Sequence, residues 1–495
     1  MKNTLQDKYL MYIGGEFVEA SNGQYLESTN PANGEKLASF PNASKEDVDR
    51  AVRAAREAFQ SFRRTTAAER AALLEKIAVV IETHCEELAT IETLDNGKPI
   101  RETSAVDIPM SADHFRYFAA AIRADEGSLN VIDETTMSLV IREPLGVVGQ
   151  IVPWNFPFLM VAWKLAPALA AGDCVVLKPS SSTSLSVLHL MTLLDDVLPK
   201  GVVNVVTGAG SQSGEYLKQH PDLDKLAFTG STQVGREIAI AAAERLIPAT
   251  LELGGKSANI IFDDCDLEQA IDGVQMGILF NQGQVCCAGS RIFVQESIYD
   301  NFVKRASEKF SGIRIGDPLN PETVMGSQIN ERQVEGILRY IDIAKQEGAK
   351  ILVGGERYSE GDCAKGAFMQ PTLIVDVRND MCVAQEEIFG PVAVVIPFKD
   401  EKEVIELAND SVYGLGGAVF TKDIQKALSV SRQLETGRVW INCYNRIPAG
   451  APFGGYKQSG IGRETHKMIL DSYMQTKNLM IDMTGKASGF YDSSL

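Results

Sequence analysis

The sequence predicts an α/β protein made of two sheet-and-helix domains and a small β arm. Three observations carry that prediction. From residue 144 to about 245, short apolar strands alternate with helices. The alternation restarts after Gly254-Gly255 and continues to about 450. Residues 125–143 and the tail after 474 read instead as extended, partly polar segments. Short apolar runs alternating with helices are the pattern of a parallel sheet covered on both faces.

Each element has a local reason. Residues 10–40 read as short strands and turns, with Asn22-Gly23 and Asn33-Gly34 as hairpin signals. Ser44 caps a helix to about Phe59, with Ala51, Val52, Ala55 and Phe59 at helical spacing. Thr66-Ala67-Ala68-Glu69 is a capping box that opens a second long helix to about Asp95, stopped by Asn96-Gly97. A third helix covers about 104–124, Glu126-Gly127 breaks it, and Thr135–Ile141 follows as a strand. The first alternation then gives a strand at Val147–Val152, a helix at 157–171 ended by Gly172, and a strand at Cys174–Leu177. It continues with a helix at 184–197, a strand at Val202–Thr207, a helix after Ser211, a strand at Lys225–Thr229 and a helix at 231–245. In the second, a strand at Ala258–Phe262 precedes a helix from Asp266 into a cysteine loop, then a strand at Ile292–Val294. The tail holds a strand at Asn478–Met483.

Composition limits the function. The chain has 495 residues, 45% of them apolar, enough for two to four domains at roughly 100–200 residues each. Lys+Arg 48 against Asp+Glu 65 gives 48 − 65 = −17, which argues against a nucleic-acid partner and favours solubility. The eight cysteines are scattered, which fits a reducing compartment rather than a disulfide framework. No CxxC, HxxxH or HExxH spacing suggests a metal. Met1–Lys8 is polar without a signal-peptide core, and no apolar run approaches 18 residues, so the expectation is a cytoplasmic protein with no membrane partner.

The chemistry centres on Phe280-Asn281-Gln282-Gly283-Gln284-Val285-Cys286-Cys287-Ala288-Gly289. Asn281 and Gly283 break a helix, and two thiols follow on a loop with small residues behind them. A loop thiol with backbone room for a substrate is a candidate nucleophile; the same residues also suit a space-filling buried pair. Glu252, flanked by leucines and glycines at a strand end, would be a base of raised pKa if buried, or an ordinary exposed carboxylate on an edge strand. Asn155, between Trp154 and Phe156, can donate to an oxyanion. Lys178 ends a strand before Pro179 and can reach ribose or phosphate. Gly208-Ala209-Gly210-Ser211-Gln212-Ser213-Gly214 misses the GxGxxG register by one residue, and Thr250 stands where a P-loop ending in Gly255-Lys256-Ser257 needs its first glycine. Neither standard phosphate motif applies.

Read together, these stretches resemble the NAD(P)-dependent aldehyde dehydrogenase superfamily. The likeness runs from Tyr12 to Asn478 through Pro153–Pro157, Phe228-Thr229-Gly230-Ser231-Thr232, Leu251–Lys256, Gly283–Cys286, Glu386–Pro391 and Pro452–Lys457. It implies a Rossmann-like cofactor domain (1–124 and 144–254), a second α/β catalytic domain (255–458) and a β oligomerisation arm (125–143 and 474–495). It implies Cys286 as nucleophile, Asn155 as oxyanion donor, Glu252 as base, Glu464 as a second acid in proton relay, and Lys178 at the cofactor ribose. Cofactor contacts are implied at Trp154, Lys178, Ser181, Gly214, Phe228, Gly230, Ser231, Leu253, Glu387 and Phe389. The implied substrate pocket is Phe156, Met160, Trp163, Val285, Cys287, Ile447 and Phe453, with Arg446 adjacent. Leu145–Gln150 and the tail resemble the bacterial acetaldehyde dehydrogenase-like branch, implying a short-chain aliphatic aldehyde. Ser181, where NAD-preferring relatives often carry Glu, implies that NADP is accepted beside NAD. The arm implies a homodimer or homotetramer. Among alternatives, Glu252 argues against transfer of the acyl group to CoA, the cofactor loops argue against a thiol hydrolase, and retention of Cys286 and Glu252 argues against a non-catalytic role. A semialdehyde or betaine aldehyde is the other substrate reading.

Overall fold

The computed structural model of the chain describes residues 5–492. Residues 1–4 of the polar N-terminal stretch and the arm residues 493–495 lie outside the described residues.

Two large sheets organise the molecule. The first has eight strands. Its centre is five parallel strands in the order Val203–Val205, Cys174–Lys178, Val147–Ile151, Lys225–Thr229, Ala249–Glu252. From Val147–Ile151 the chain winds outward in one direction, then returns to wind in the other. The order therefore reverses between Val147–Ile151 and Lys225–Thr229, and a ligand crevice opens at that reversal. The helix Pro157–Ala171 is apolar all round apart from Lys164, and all fifteen of its residues are buried, as expected for a helix packed on every side. Gly172 ends it in the left-handed conformation, φ 100°.

The second sheet has seven strands, in the order Lys350–Val353, Thr372–Val375, Val392–Phe398, Arg291–Gln295, Ala258–Ile261, Gly416–Phe420, Arg438–Ile441. All are parallel except the first, an antiparallel edge. A third sheet pairs Met474–Asp482 with Thr136–Pro144, and Thr136–Pro144 with Ser128–Val131, all antiparallel. No helix among the described residues is long and apolar enough to cross a membrane.

Three sequence expectations are corrected and one strand is added. The long helix from Thr66 to Asp95 is two helices, Ala67–Thr83 and Cys85–Asn96, because His84 leaves the helical region (φ −107°, ψ 21°) and the acidic residues Glu86 and Glu87 open a new first turn. The helix expected at 184–197 ends at Leu194. The first hairpin, Met11–Ile13 with Glu16–Val18, turns at Gly14-Gly15 rather than at Asn22-Gly23; both of these glycines have positive φ, as a tight hairpin turn requires. Finally, the first sheet recruits Gly460–Ile461, which pairs antiparallel with Leu251 and Glu252. That strand has two residues, too short to leave a periodic signal.

Candidate active site

The carboxyl ends of the first sheet face the amino ends of the second. A cavity of about 270 Å³ lies between them. From the first sheet come Trp154, Asn155 and Phe156 after Val147–Ile151, Gly230 and Ser231 after Lys225–Thr229, and Glu252 at the end of its strand. From the second come Val285, Cys286 and Cys287 before Arg291–Gln295, and Glu387 and Phe389 before Val392–Phe398.

The nucleophile loop is bent sharply. Asn281, Gln282 and Gly283 take φ of 46°, 56° and 74° in succession. A side chain on Gly283 would put its Cβ 2.1 Å from the Gly390 carbonyl. Glycine there lets the cysteine loop lie directly on the loop that carries Glu387. Asn281 Nδ2 donates to the carbonyls of Asn155 (2.7 Å) and Gln284 (3.1 Å). Asn155 Nδ2 donates to Gln284 O at 2.9 Å. One amide proton of Asn155 is thus fixed, and the other remains for a ligand.

Cys286 is half-buried on the cavity wall, whereas Cys287 is buried and its Sγ lies 3.7 Å from Asn445 Oδ1. The Tyr444 hydroxyl donates to the Cys287 carbonyl at 2.7 Å. The adjacent Cys287 thiol, and after it burial, push the Cys286 thiol well above the usual thiol range, while Glu252 pulls it down. Glu252 is 2% exposed, so it is not the exposed edge carboxylate its sequence context allowed; Gly460–Ile461 covers that edge. Neither of its carboxyl oxygens has a hydrogen-bond partner. The Cys286 thiol lies near enough to bias its titration without satisfying either oxygen. Burial, and after it the charge of Cys286, hold Glu252 well above the ordinary carboxylate range; Lys164 acts the other way.

Glu464 lies outside the cavity wall. It is buried, and its Oε1 meets Lys164 Nζ at 2.5 Å. Lys164 had a sequence signal: it is the single charge in a fifteen-residue apolar helix. Phe156, Met160, Trp163, Ile447 and Phe453 line the cavity, and Trp163 meets Phe453 edge-on with centroids 5.3 Å apart. Val106, Met110, Phe280 and Asn445 join them. The pair Val106 and Met110 has helical i, i+4 spacing, but nothing in the sequence ties it to this loop. Arg446 is exposed and off the wall.

Of the remaining expected contacts, Gly230, Ser231 and Glu387 line this wall, while Lys178, Ser181, Gly214, Phe228 and Leu253 lie outside it. Lys178 is buried, with Nζ donating only to Pro179 O at 2.9 Å, and burial lowers its pKa to about 8. Gly214 rests against it, a Cβ there falling 3.5 Å from Lys178 Cε. Ser181 is half-buried three residues on. The Phe228 ring covers Gly230, and Leu253 packs against Gly235. Glu387 accepts from Gly255 N at 3.1 Å, and burial raises it to about 7. Ser231 caps the helix Thr232–Arg245. These residues fit a dinucleotide: a helix N-terminus suits a pyrophosphate, a lysine with free protons and a carboxylate suit ribose hydroxyls, and Trp154 and Phe389, edge-on at 5.2 Å, supply apolar walls.

Residues 17–479 match the family profile described as "Aldehyde dehydrogenase family". The chain is 52% identical over 495 residues to the acetaldehyde dehydrogenase of Pseudomonas aeruginosa, covering 99% of this chain and 97% of that one. Among solved structures it is similar to the NAD+ complex of an aldehyde dehydrogenase from Bacillus cereus, at 46% identity and a TM-score of 0.95 over 97% of this chain and 98% of that one. It is also similar to betaine aldehyde dehydrogenase from Staphylococcus aureus in complex with NAD+, at 42% identity and a TM-score of 0.95 over 98% and 96% of the two chains.

Proposed function

The chain belongs to the aldehyde dehydrogenase family, and from that premise we propose that it oxidises a short-chain aliphatic aldehyde to the carboxylic acid. The single observation that carries the chemistry is the convergence of Cys286, Glu252 and Asn155 on one cavity. Cys286 gives up its thiol proton to solvent and attacks the aldehyde carbon as the thiolate; a C–S bond forms and the carbonyl π pair moves onto oxygen. The free amide proton of Asn155 and the backbone N–H of Cys286 hold that oxyanion. As C=O re-forms, the C–H bond breaks and hydride leaves; NADP or NAD, when bound, would supply the acceptor for it. Lys178 and Glu387 would hold the dinucleotide's ribose hydroxyls, and Ser231 with the following helix its pyrophosphate. Cys286 is left as a thioester. Glu252 takes a proton from water, the hydroxide adds to the acyl carbon, and the C–S bond breaks to return the thiolate. Glu464, paired to Lys164, passes the proton onward.

Substrate choice is read from the cavity. Its lining contains no lysine or arginine, so a carboxylate-bearing semialdehyde would be buried without a partner. The acetaldehyde dehydrogenase relative supports the same reading. The second reading is betaine aldehyde, favoured by the Trp163, Phe156 and Phe453 rings, whose faces attract a quaternary ammonium. Cofactor choice is read from Ser181, which offers a 2′-phosphate no repulsion. One steady-state matrix tests both: acetaldehyde, propanal, succinate semialdehyde and betaine aldehyde, each with NAD and NADP. Acetaldehyde or propanal should give the highest kcat/KM. Ser181→Glu should weaken NADP use far more than NAD use. A far higher constant for either charged aldehyde would reject the substrate reading. An NAD advantage of about a hundredfold, or roughly 2.8 kcal/mol, would reject the role given to Ser181.

The assembly is read from the arm. Every residue of Ser128–Val131 is exposed, Leu129 by 56% and Val131 by 66%, and Met480 on the outer strand Met474–Asp482 is 61% exposed. Apolar edge strands are a liability in a monomer, which supports pairing with a second copy as a homodimer or homotetramer. Sedimentation at micromolar concentration should give a dimer or tetramer; a monomer would reject the pairing. The eight cysteines are scattered without a repeated spacing, which supports a reducing, cytoplasmic setting.

A further inference from the structure

Beneath the catalytic cavity lie four buried charged side chains that the reaction does not use: Lys98, Asp107, Glu92 and Glu102. Lys98 Nζ meets Asp107 Oδ2 at 2.6 Å and stands 4.0 Å above the centre of the Phe156 ring. Glu92 accepts from Phe158 N at 3.2 Å and from the Ser186 hydroxyl. Glu102 accepts from Asn281 N at 2.9 Å. Three carboxyl groups share one ammonium. Burial raises Glu92 to about 7 and Glu102 to about 8, with Lys98 pulling both down and Asp107 pushing both up. Such a cluster is a poor source of stability, since well-packed apolar residues in place of buried ion pairs are often neutral or stabilising. Two of its contacts nevertheless fall on the loops that carry Asn155 and Cys286: Lys98 over the Phe156 ring and Glu102 on Asn281 N.

The Glu102 contact reaches furthest. Asn281 sits in the left-handed region at φ 46°, a conformation that asparagine enters only as a single residue with local hydrogen bonding. Its N–H is left outside the helical ladder, and Glu102 receives it. The Asn281 side chain is thereby aimed at the Asn155 and Gln284 carbonyls, and Asn155 closes the ring by donating to Gln284 O. Glu102 ends the short helix Ile100–Glu102, and the wide turn Thr103–Asp107 follows. That turn gives Val106 to the cavity and Asp107 to Lys98. Wide turns of this kind are frequent at functional sites.

We propose that Glu102 is a positioning residue of the oxyanion site, holding Asn281 in its left-handed turn so that Asn281 fixes the Asn155 amide. The inference rests on the reading of Asn155 as the oxyanion donor. It predicts that Glu102 acts only through Asn155.

The test is single-turnover hydride transfer, followed as reduced cofactor, in Glu102→Ala, Glu102→Gln, Asn155→Ala and the Glu102→Ala/Asn155→Ala double variant. Asn155→Ala should slow the step about a hundredfold, as loss of an oxyanion donor does. Glu102→Ala should slow it about tenfold, while Glu102→Gln, which keeps an acceptor for Asn281 N, should stay within about threefold of wild type. The double variant should be no slower than Asn155→Ala alone, because residues acting through one group are not additive. A wild-type rate in Glu102→Ala, equal loss in Glu102→Gln, or additive losses in the double variant would overturn the proposal. A wild-type rate in Asn155→Ala would instead overturn the oxyanion assignment. If Glu102→Ala melts below the assay temperature, Asn281→Gly carries the same comparison: it keeps the left-handed turn and removes only the side-chain amide. In that case Asn281→Gly should match the tenfold loss and add nothing to Asn155→Ala; a wild-type rate or an additive loss would overturn the proposal.

Discussion

Cys286→Ala should lose dehydrogenase activity by about 10⁴-fold or more, the scale on which removing a nucleophile acts, while Cys287→Ala stays within about threefold of wild type. The two thiols are adjacent in sequence but differ in surroundings. Cys286 is half-buried on the cavity wall beside Glu252. Cys287 is 1% exposed, its sulfur faces Asn445 Oδ1 and its carbonyl is tied by the Tyr444 hydroxyl. Losing the Cys287 sulfur removes one buried atom, which costs about 1 kcal/mol of stability and no chemistry. Thiol alkylation separates the two in the same proteins: iodoacetamide should modify Cys287→Ala at the wild-type rate and should leave the active-site peptide of Cys286→Ala unmodified. Equal loss of activity in both variants would reject Cys286 as the nucleophile.

Much of the fold and of the candidate site is legible in the sequence, and the legible part has a common physical character. Wherever backbone geometry forces the residue choice, the sequence carried a mark. The Gly172 helix end, the Ser44 and Ser231 caps and the breaks at Asn281 and Gly283 are local constraints, written in single residues. The parallel strands were readable because a strand buried on both faces must be continuously apolar, as Cys174–Lys178 is. What stayed hidden depends on contacts distant in sequence. Glu102 and Asn281 are 179 positions apart, and Lys164 and Glu464 are 300 apart. A lone buried charge such as Lys164 announces that some partner exists without saying which. Gly460–Ile461 was invisible for a different reason: two residues cannot display alternation. Its effect is large, because it turns the strand ending in Glu252 from an edge into an interior strand. The Glu252 carboxyl itself is buried at the cavity wall, and that burial lifts it out of its ordinary range.

Glu252→Gln should acylate but not turn over. A rapid burst of reduced cofactor approaching one equivalent per site should survive, followed by a steady rate lower by about 10²–10⁴-fold, the range general-base catalysis supplies. Attack and hydride transfer use Cys286 and Asn155, which the substitution leaves in place, and only the proton acceptor for water is lost. The pH profile has a definite sign. Burial first, and the Cys286 charge second, raise the Glu252 pKa. At low pH the group is a carboxylic acid and cannot take a proton from water, so the wild-type steady-state rate should rise with pH through that elevated value. The glutamine variant should show a flat profile over the same range. Stability runs the opposite way. A folded-state pKa raised above the unfolded value means that the folded protein binds the extra proton, so this group's contribution is intact below the ordinary carboxylate range and is lost as pH rises through the folded value. Glu252→Gln removes that loss. Its melting temperature should exceed that of wild type by a margin that widens from pH 5 to pH 8. A burst-free variant would place Glu252 before the thioester, and a margin that narrows with pH would show that the carboxylate is stabilised in the fold.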